Sequence, residues 1–272
     1  MNMKQKLAII GATCALVAGC GGGSSDDTAQ TPSQPSSPST PSVTRADAGP
    51  WQTGIGTYTY SFGVDDTGET WGYKMNQDVS TLILYHGQQS ISGSSVSGSY
   101  LEYNLTGAGS APITTSYTGT AQAKNYLNLV FGNSVTLNYN YNSTTPINQT
   151  LANFQGTWAG VAGNNLPGGA LHADTMTVSG SSVSFPKGAN GCQVTGTITP
   201  QATITRGTEY IFSGYSSPQC GVIGGVQLGG ATMKGVMAVI PQSITGTTIK
   251  NGLVLFVVTT DNQVGIMFIG YQ

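Results

Sequence analysis

Few side chains in this chain of 272 residues have the type and spacing to do chemistry. His172-Ala173-Asp174 sets a carboxylate two residues beyond an imidazole, on the same face if the stretch is a strand, and a His–Asp pair is what orients a general base. Such a base needs something to activate. The chain has no Gly-x-Ser-x-Gly elbow and no free cysteine beside a base, so His172 reads as a strand-end histidine facing solvent and no enzyme is expected. Asp65-Asp66-Thr67-Gly68 contains the letters with which aspartic proteases present one carboxylate to another. No second Asp-Thr-Gly exists and Glu69 stands where Ser or Thr belongs, so these residues read as a hairpin turn. Asp65, Asp66, Glu69 and Asp78 could gather a calcium ion but lack the spacing of a ligand loop; no metal and no cofactor are expected.

The cysteines divide by position. Cys14 and Cys20 lie at the N-terminus, and only Cys192 and Cys220 fall in the body. In an oxidising compartment an even pair reads as a disulfide, and closing the 27 residues between them would contribute about 3 kcal/mol. Zinc is the rival reading, but two cysteines without a nearby histidine make a poor site. Among 13 tyrosines, Tyr139 and Tyr141 fall on one face of an alternating run. With Trp51 and Trp158 they are the candidate binding residues for a glycan or protein partner, since stiff amphipathic rings suit recognition. The plainer reading, that they line a barrel wall or core, is preferred.

The first residues decide the address. Lys4 and Lys6 precede an apolar run from Leu7 to Val17 that is too short to span a bilayer, the layout of an export signal. The run ends Leu16-Val17-Ala18-Gly19-Cys20, which resembles the bacterial lipobox. That resemblance implies cleavage after residue 19, lipid attachment at Cys20 and membrane anchoring through the lipid. Gly21, where Asp would retain an enteric lipoprotein in the inner membrane, implies the outer membrane, with the periplasmic face or the cell surface undecided. Residues 20–49 are rich in Gly, Ser, Thr, Pro and Gln without apolar periodicity and read as a flexible tether that would hold the body roughly 30 Å from the membrane.

Without the signal, seven basic residues face eleven acidic ones. No basic patch exists for nucleic acid. Charged residues are 7% of the chain and glycines number 39, which tight turns largely explain. Period-two alternation recurs, as in Thr57-Tyr58-Thr59-Tyr60-Ser61-Phe62 and from Val135 to Tyr141, and no dozen residues show helical spacing. Turn clusters at Asp66-Thr67-Gly68, Ser92-Gly93-Ser94, Ser179-Gly180-Ser181 and Asp261-Asn262-Gln263 separate the runs. The fold class is all-β: two antiparallel barrel-like or sandwich domains, residues 50–145 and 150–272, after signal and tether.

The boundary falls at Asn142 to Gln149, after which Leu151-Ala152-Asn153-Phe154 predicts one helical turn. Gly56-Thr57-Tyr58 and Gly156-Thr157-Trp158 both read as Gly-Thr-aromatic opening a strand, a likeness too short to establish duplication. The continuous apolar run Gly252 to Val258 predicts a strand buried on both faces.

Gly191-Cys192-Gln193-Val194-Thr195-Gly196-Thr197-Ile198-Thr199-Pro200, then Cys220, then closing strands ending Phe268-Ile269-Gly270-Tyr271, resemble a family of poorly characterised proteobacterial lipoproteins with a two-cysteine, barrel-like C-terminal domain. The resemblance implies architecture and carries no catalytic residues. Gly156-Thr157-Trp158 is also similar to the start of lipocalin-like barrels. The expected role is a non-enzymatic binding or adhesive module of the envelope or surface. The alternatives are a periplasm-facing structural or assembly factor and a lipocalin-like carrier of a small ligand.

Overall fold

The computed structural model describes residues 45–77, 80–106, 109–132, 135–143, 150–189, 191–200, 210–243 and 249–272. The expected signal peptide, Cys20, all of the expected tether before residue 45 and Asp78 lie outside them. Strands β1 (Gly49–Ile55), β2 (Tyr58–Val64), β3 (Glu69–Asn76), β4 (Leu82–Ser92), β5 (Ser95–Asn104), β6 (Ile113–Gln122), β7 (Tyr126–Phe131) and β8 (Thr136–Tyr141) pair in sequence order. β8 returns to β1 through Trp51↔Tyr141 and Gln52↔Asn140 and closes an eight-stranded antiparallel barrel.

A 3-10 turn at Leu151–Phe154, where a helical turn is predicted, leads to the second barrel. Its strands are β9 (Gly156–Asn164), β10 (His172–Ser179), β11 (Ser182–Ala189), β12 (Cys192–Pro200), β13 (Tyr210–Ser216), β16 (Thr232–Ser243), β17 (Ile249–Thr259) and β18 (Gly265–Tyr271), with β9 closing between β18 and β10. The short hairpin β14 (Val222–Ile223) and β15 (Val226–Gln227) is inserted between the neighbours β13 and β16. All four predicted turns join strands: Gly93-Ser94 and Gly180-Ser181 are two-residue hairpin loops whose glycine has positive φ, as the strand twist requires.

Each lumen is filled by alternate residues. In the first barrel Phe62, Tyr85, Tyr100, Tyr117, Phe131 and Tyr139 pack with ring centroids 4.5 to 6.3 Å apart. In-strand glycines make room for the rings. Gly98 lies opposite Tyr117 across the β5–β6 ladder, and a Cβ there would sit 2.7 Å from the Tyr117 Cζ. Glycine thus serves the strand interiors as well as the turns, because a crowded lumen leaves no space for a side chain beside each ring. The second lumen is built from Trp158, Phe185, Phe212, Phe268, Met176 and Met237, among others.

Both barrels begin with the same closure, though at a place the sequence does not mark. Gly49-Pro50-Trp51 and Gly156-Thr157-Trp158 each start a first strand with a glycine at positive φ, 126° and 112°. The Trp51 Nε1–H donates to the Asp47 carbonyl four residues back at 2.7 Å, and the Trp158 Nε1–H donates to that of Phe154 at 2.8 Å. Asp47 and Phe154 are fully buried. Gly56-Thr57, the suspected counterpart of Gly156-Thr157, is instead the two-residue hairpin loop between β1 and β2. The equivalence lies seven residues earlier, where Pro50 replaces the threonine.

The barrels meet along an apolar seam. Trp71, Tyr73, Met75, Leu82, Leu84 and Tyr103 on the outer face of the first form one cluster with Val236, Val254, Val258, Met267 and Ile269 on the outer face of the second. β17 is therefore buried on both faces, as its apolar run predicts, with Leu253, Leu255 and Val257 in the lumen and Val254 and Val258 in the seam. The buried Asn165 fastens one end: its Nδ2 donates to the carbonyls of Ser110 (3.1 Å) and Gln263 (3.0 Å), and its Oδ1 accepts from the Gly265 N–H (2.8 Å).

Candidate functional site: a polar cleft between the barrels

At one edge of the seam the apolar contacts give way to ionisable side chains. The turn before β3 positions the first of them. Asp65 Oδ1 accepts from the Thr67 N–H (2.8 Å), the Thr67 hydroxyl (2.7 Å) and the Glu69 N–H (2.8 Å), so the Asp-Thr-Gly letters build a braced turn that delivers Glu69 to the start of the strand. On the ladder Trp71 faces His86 and Glu69 faces Gln88, which puts Glu69, Trp71 and His86 together on the outer face.

His86 Nε2 lies 2.8 Å from Glu69 Oε1, and the His86 ring stacks on Trp71 with centroids 4.1 Å apart. From the second barrel, Lys234 Nζ donates to the same Glu69 Oε1 at 2.8 Å. Burial alone would raise the pKa of the Glu69 carboxyl, but the hydrogen bonds and charges of His86 and Lys234 outweigh it and hold that pKa down at about 2. Glu69, His86 and Lys234 border a cleft of about 400 Å³, completed by Gly87, Gln88, Ser99, Tyr100, Leu101, Thr114 and Asn262.

A carboxyl held at about 2 is ionised at neutral pH and has no proton to give, so Glu69 is no general acid. Its Oε1 already accepts from two donors. The arrangement works as a charged joint between the barrels and as one wall of an open polar cleft. Sequence reasoning missed it because Glu69 and Lys234 are 165 residues apart. The one local signal is the alternation Trp71, Tyr73, Met75, which points to a buried face; that face turns out to be the outside of the barrel, while Gly72 opposes Phe62 in the lumen.

Of the candidate binding residues, Trp51 and Tyr141 are brought together across the β1–β8 closure, while Trp158 lies in the other barrel. Trp51 and Trp158 are fully buried and Tyr139 is 2% exposed, so as candidate binding residues they are corrected to lumen packing: inward-facing positions of a closed barrel bury their rings. Tyr141 shares the Tyr139 face and meets Trp51 edge-on at 5.3 Å. Burial pushes the Tyr139 hydroxyl up, so it stays protonated. His172 opens β10 as a strand-end residue, pairs with Ala162 across the β9–β10 ladder and keeps its side chain 30% exposed. His172 Nε2 lies 4.0 Å from Asp174 Oδ2, beyond hydrogen-bond reach, and its Nδ1 is 3.1 Å from the Ala170 carbonyl. Asp65 Oδ1 is engaged in its own turn, and among the described residues no group of three or more His, Cys, Asp or Glu is placed to hold a metal.

Cys192 and Cys220 are thiols, so the expected bridge is not formed in the structure. They lie near each other nonetheless: Cys220 packs against the buried cluster that holds Cys192, and burial, reinforced by the nearby Cys220, pushes the Cys192 thiol up to about 12. A thiol shifted that way is not an activated nucleophile.

No protein-family profile matches the chain, and no curated protein and no solved structure shows significant similarity to it.

Proposed function

We propose that this chain is a lipid-anchored lipoprotein of the bacterial outer membrane that binds a protein or glycan partner without catalysis, in the manner of an adhesive or docking module. The lipobox-like Leu16-Val17-Ala18-Gly19-Cys20 and the tether after it support the address. The observation that carries the binding role is the seam. It joins two closed barrels through a continuous apolar cluster and leaves, at its edge, a preformed cleft walled by Glu69 and His86 from one barrel and Lys234 from the other. A preformed concavity between rigid bodies is where partners dock at low entropic cost. Lumens crowded with aromatic rings favour this reading over a lipocalin-like carrier. An envelope address also puts Cys192 and Cys220 in an oxidising compartment.

Protease treatment of intact cells tests the display. Digestion of the body by added protease, lost when Cys20→Ser blocks acylation, is the expected result. Protection in intact cells with digestion after the outer membrane is permeabilised would turn the reading toward the periplasm-facing assembly factor. An unacylated protein with residues 1–19 intact would end it.

A further inference from the structure

We propose that Cys192 and Cys220 are an oxidisable pair, a modification site where a disulfide-bearing thiol oxidant makes a cystine that staples a cap across one end of the second barrel. The cap is the insertion between β13 and β16, residues 217–231, which leaves the wall, forms the 3-10 turn Pro218–Cys220 and the hairpin β14–β15, and returns to the neighbouring strand. It covers the end at which β12 and β16 begin. Leu228 is fully buried in the lumen cluster that holds Cys192 and Met233, and Cys220, Ile223 and Val226 pack on that cluster.

The cap is held at its ends. The Ser217 N–H donates to the carbonyl of Gln193, the residue after Cys192, at 2.8 Å, and the Leu228 and Gly229 N–H groups both donate to the Gly221 carbonyl at 2.9 Å. Ser216 Oγ donates to the Leu228 carbonyl and accepts from the Ala231 N–H. Between these ends the hairpin stands outward, with Val222 62% exposed. Apart from Leu228 and the packing of Cys220, Ile223 and Val226 on the cluster, the segment is held by short local bonds. The Ser217 bond brings the turn carrying Cys220 to the start of β12, where Cys220 packs against the cluster that holds Cys192. No other strand connection in either barrel carries a cysteine.

The chemistry is thiol–disulfide exchange. Cys220, the more exposed of the two, gives up its proton and attacks the oxidant's disulfide, and one oxidant thiol leaves. The Cys192 sulfur then loses its proton and attacks Cys220 Sγ, expelling the second oxidant thiol. Two S–H bonds are lost and one S–S bond forms, and the two electrons and two protons end on the reduced oxidant. Only the supply of that oxidant in the cell rests on the proposed envelope address.

The test begins with full-length protein taken from acid-quenched cells, alkylated and analysed by non-reducing peptide mass spectrometry. The expected result is a crosslinked pair of peptides carrying Cys192 and Cys220 with neither thiol alkylated. Limited proteolysis within 217–231 should then accelerate about tenfold or more after dithiothreitol or in Cys220→Ser, with the rest of the barrel unchanged. Thiols that stay reduced when the purified protein is equilibrated in an oxidising glutathione buffer would overturn the proposal. So would a bridge that forms without slowing cleavage of the cap. A pair that closes and protects the cap in that buffer, but is fully alkylated when taken from cells, would uphold the site and count against the envelope address.

Discussion

The joint between the barrels makes a quantitative prediction through Glu69. Replacing it with Gln keeps the shape and an acceptor for Lys234 and His86 but removes the charge. The Glu69 carboxyl goes from an ordinary value of 4.5 to about 2 in the folded protein. At about 1.36 kcal/mol for each pH unit, that preference for the ionised form contributes about 3 kcal/mol at neutral pH. The side chain is 27% exposed, so solvent screening trims the figure to about 2 kcal/mol. The folded value lies below the unfolded one, so the contribution is complete above pH 4.5, shrinks as the pH falls and is gone below about 2. Wild type and Glu69→Gln should therefore differ by about 4–8 °C in Tm at pH 6, and the two curves should converge between pH 4.5 and 2. Calorimetry across that range is the assay. Two parallel curves, or equal stability at pH 6, would show that the carboxylate does not hold the barrels together.

Asp47 is fully buried, with Arg45 Nε and NH2 at 3.0 and 2.7 Å from its two oxygens and Gln89 Nε2 at 2.7 Å. Asp47→Ala should cost about 3–5 kcal/mol in urea unfolding because it strands a guanidinium, and a loss under about 1 kcal/mol would contradict that account. Trp51→Phe and Trp158→Phe each leave one buried carbonyl without its indole donor and should cost about 1–3 kcal/mol apiece; a cost in only one barrel would refute the shared closure. Gly160→Ala would put a Cβ 1.9 Å from the Ile269 carbonyl oxygen, on the closing ladder of the second barrel, whereas at Gly54 the nearest atom is 3.6 Å away. Gly160→Ala should lose about 3 kcal/mol or fail to fold and Gly54→Ala about 1 kcal/mol or less, by thermal melting; equal effects would mean the ladder shifts to make room.

Alternation and turn residues determined the β class, the positions of the hairpins and the boundary after Tyr141, because strand periodicity and positive-φ turns are local properties. The two-sided burial of β17 was equally legible, since a run of seven apolar residues leaves no face for water. Alternation alone does not say which side is the lumen. Trp71, Tyr73 and Met75 belong to the seam, and only the barrel's closure and its docking to a neighbour decide that. The same holds for Trp51 and Tyr139, which composition offers as recognition residues and packing consumes. Glu69 and His86 carry no local mark because their partner Lys234 arrives from the other barrel, a contact set by two outer faces meeting rather than by anything periodic along the chain. Sequence by itself determined which residues alternate, turn and break; tertiary structure decided which way each alternation faces and which distant charges meet.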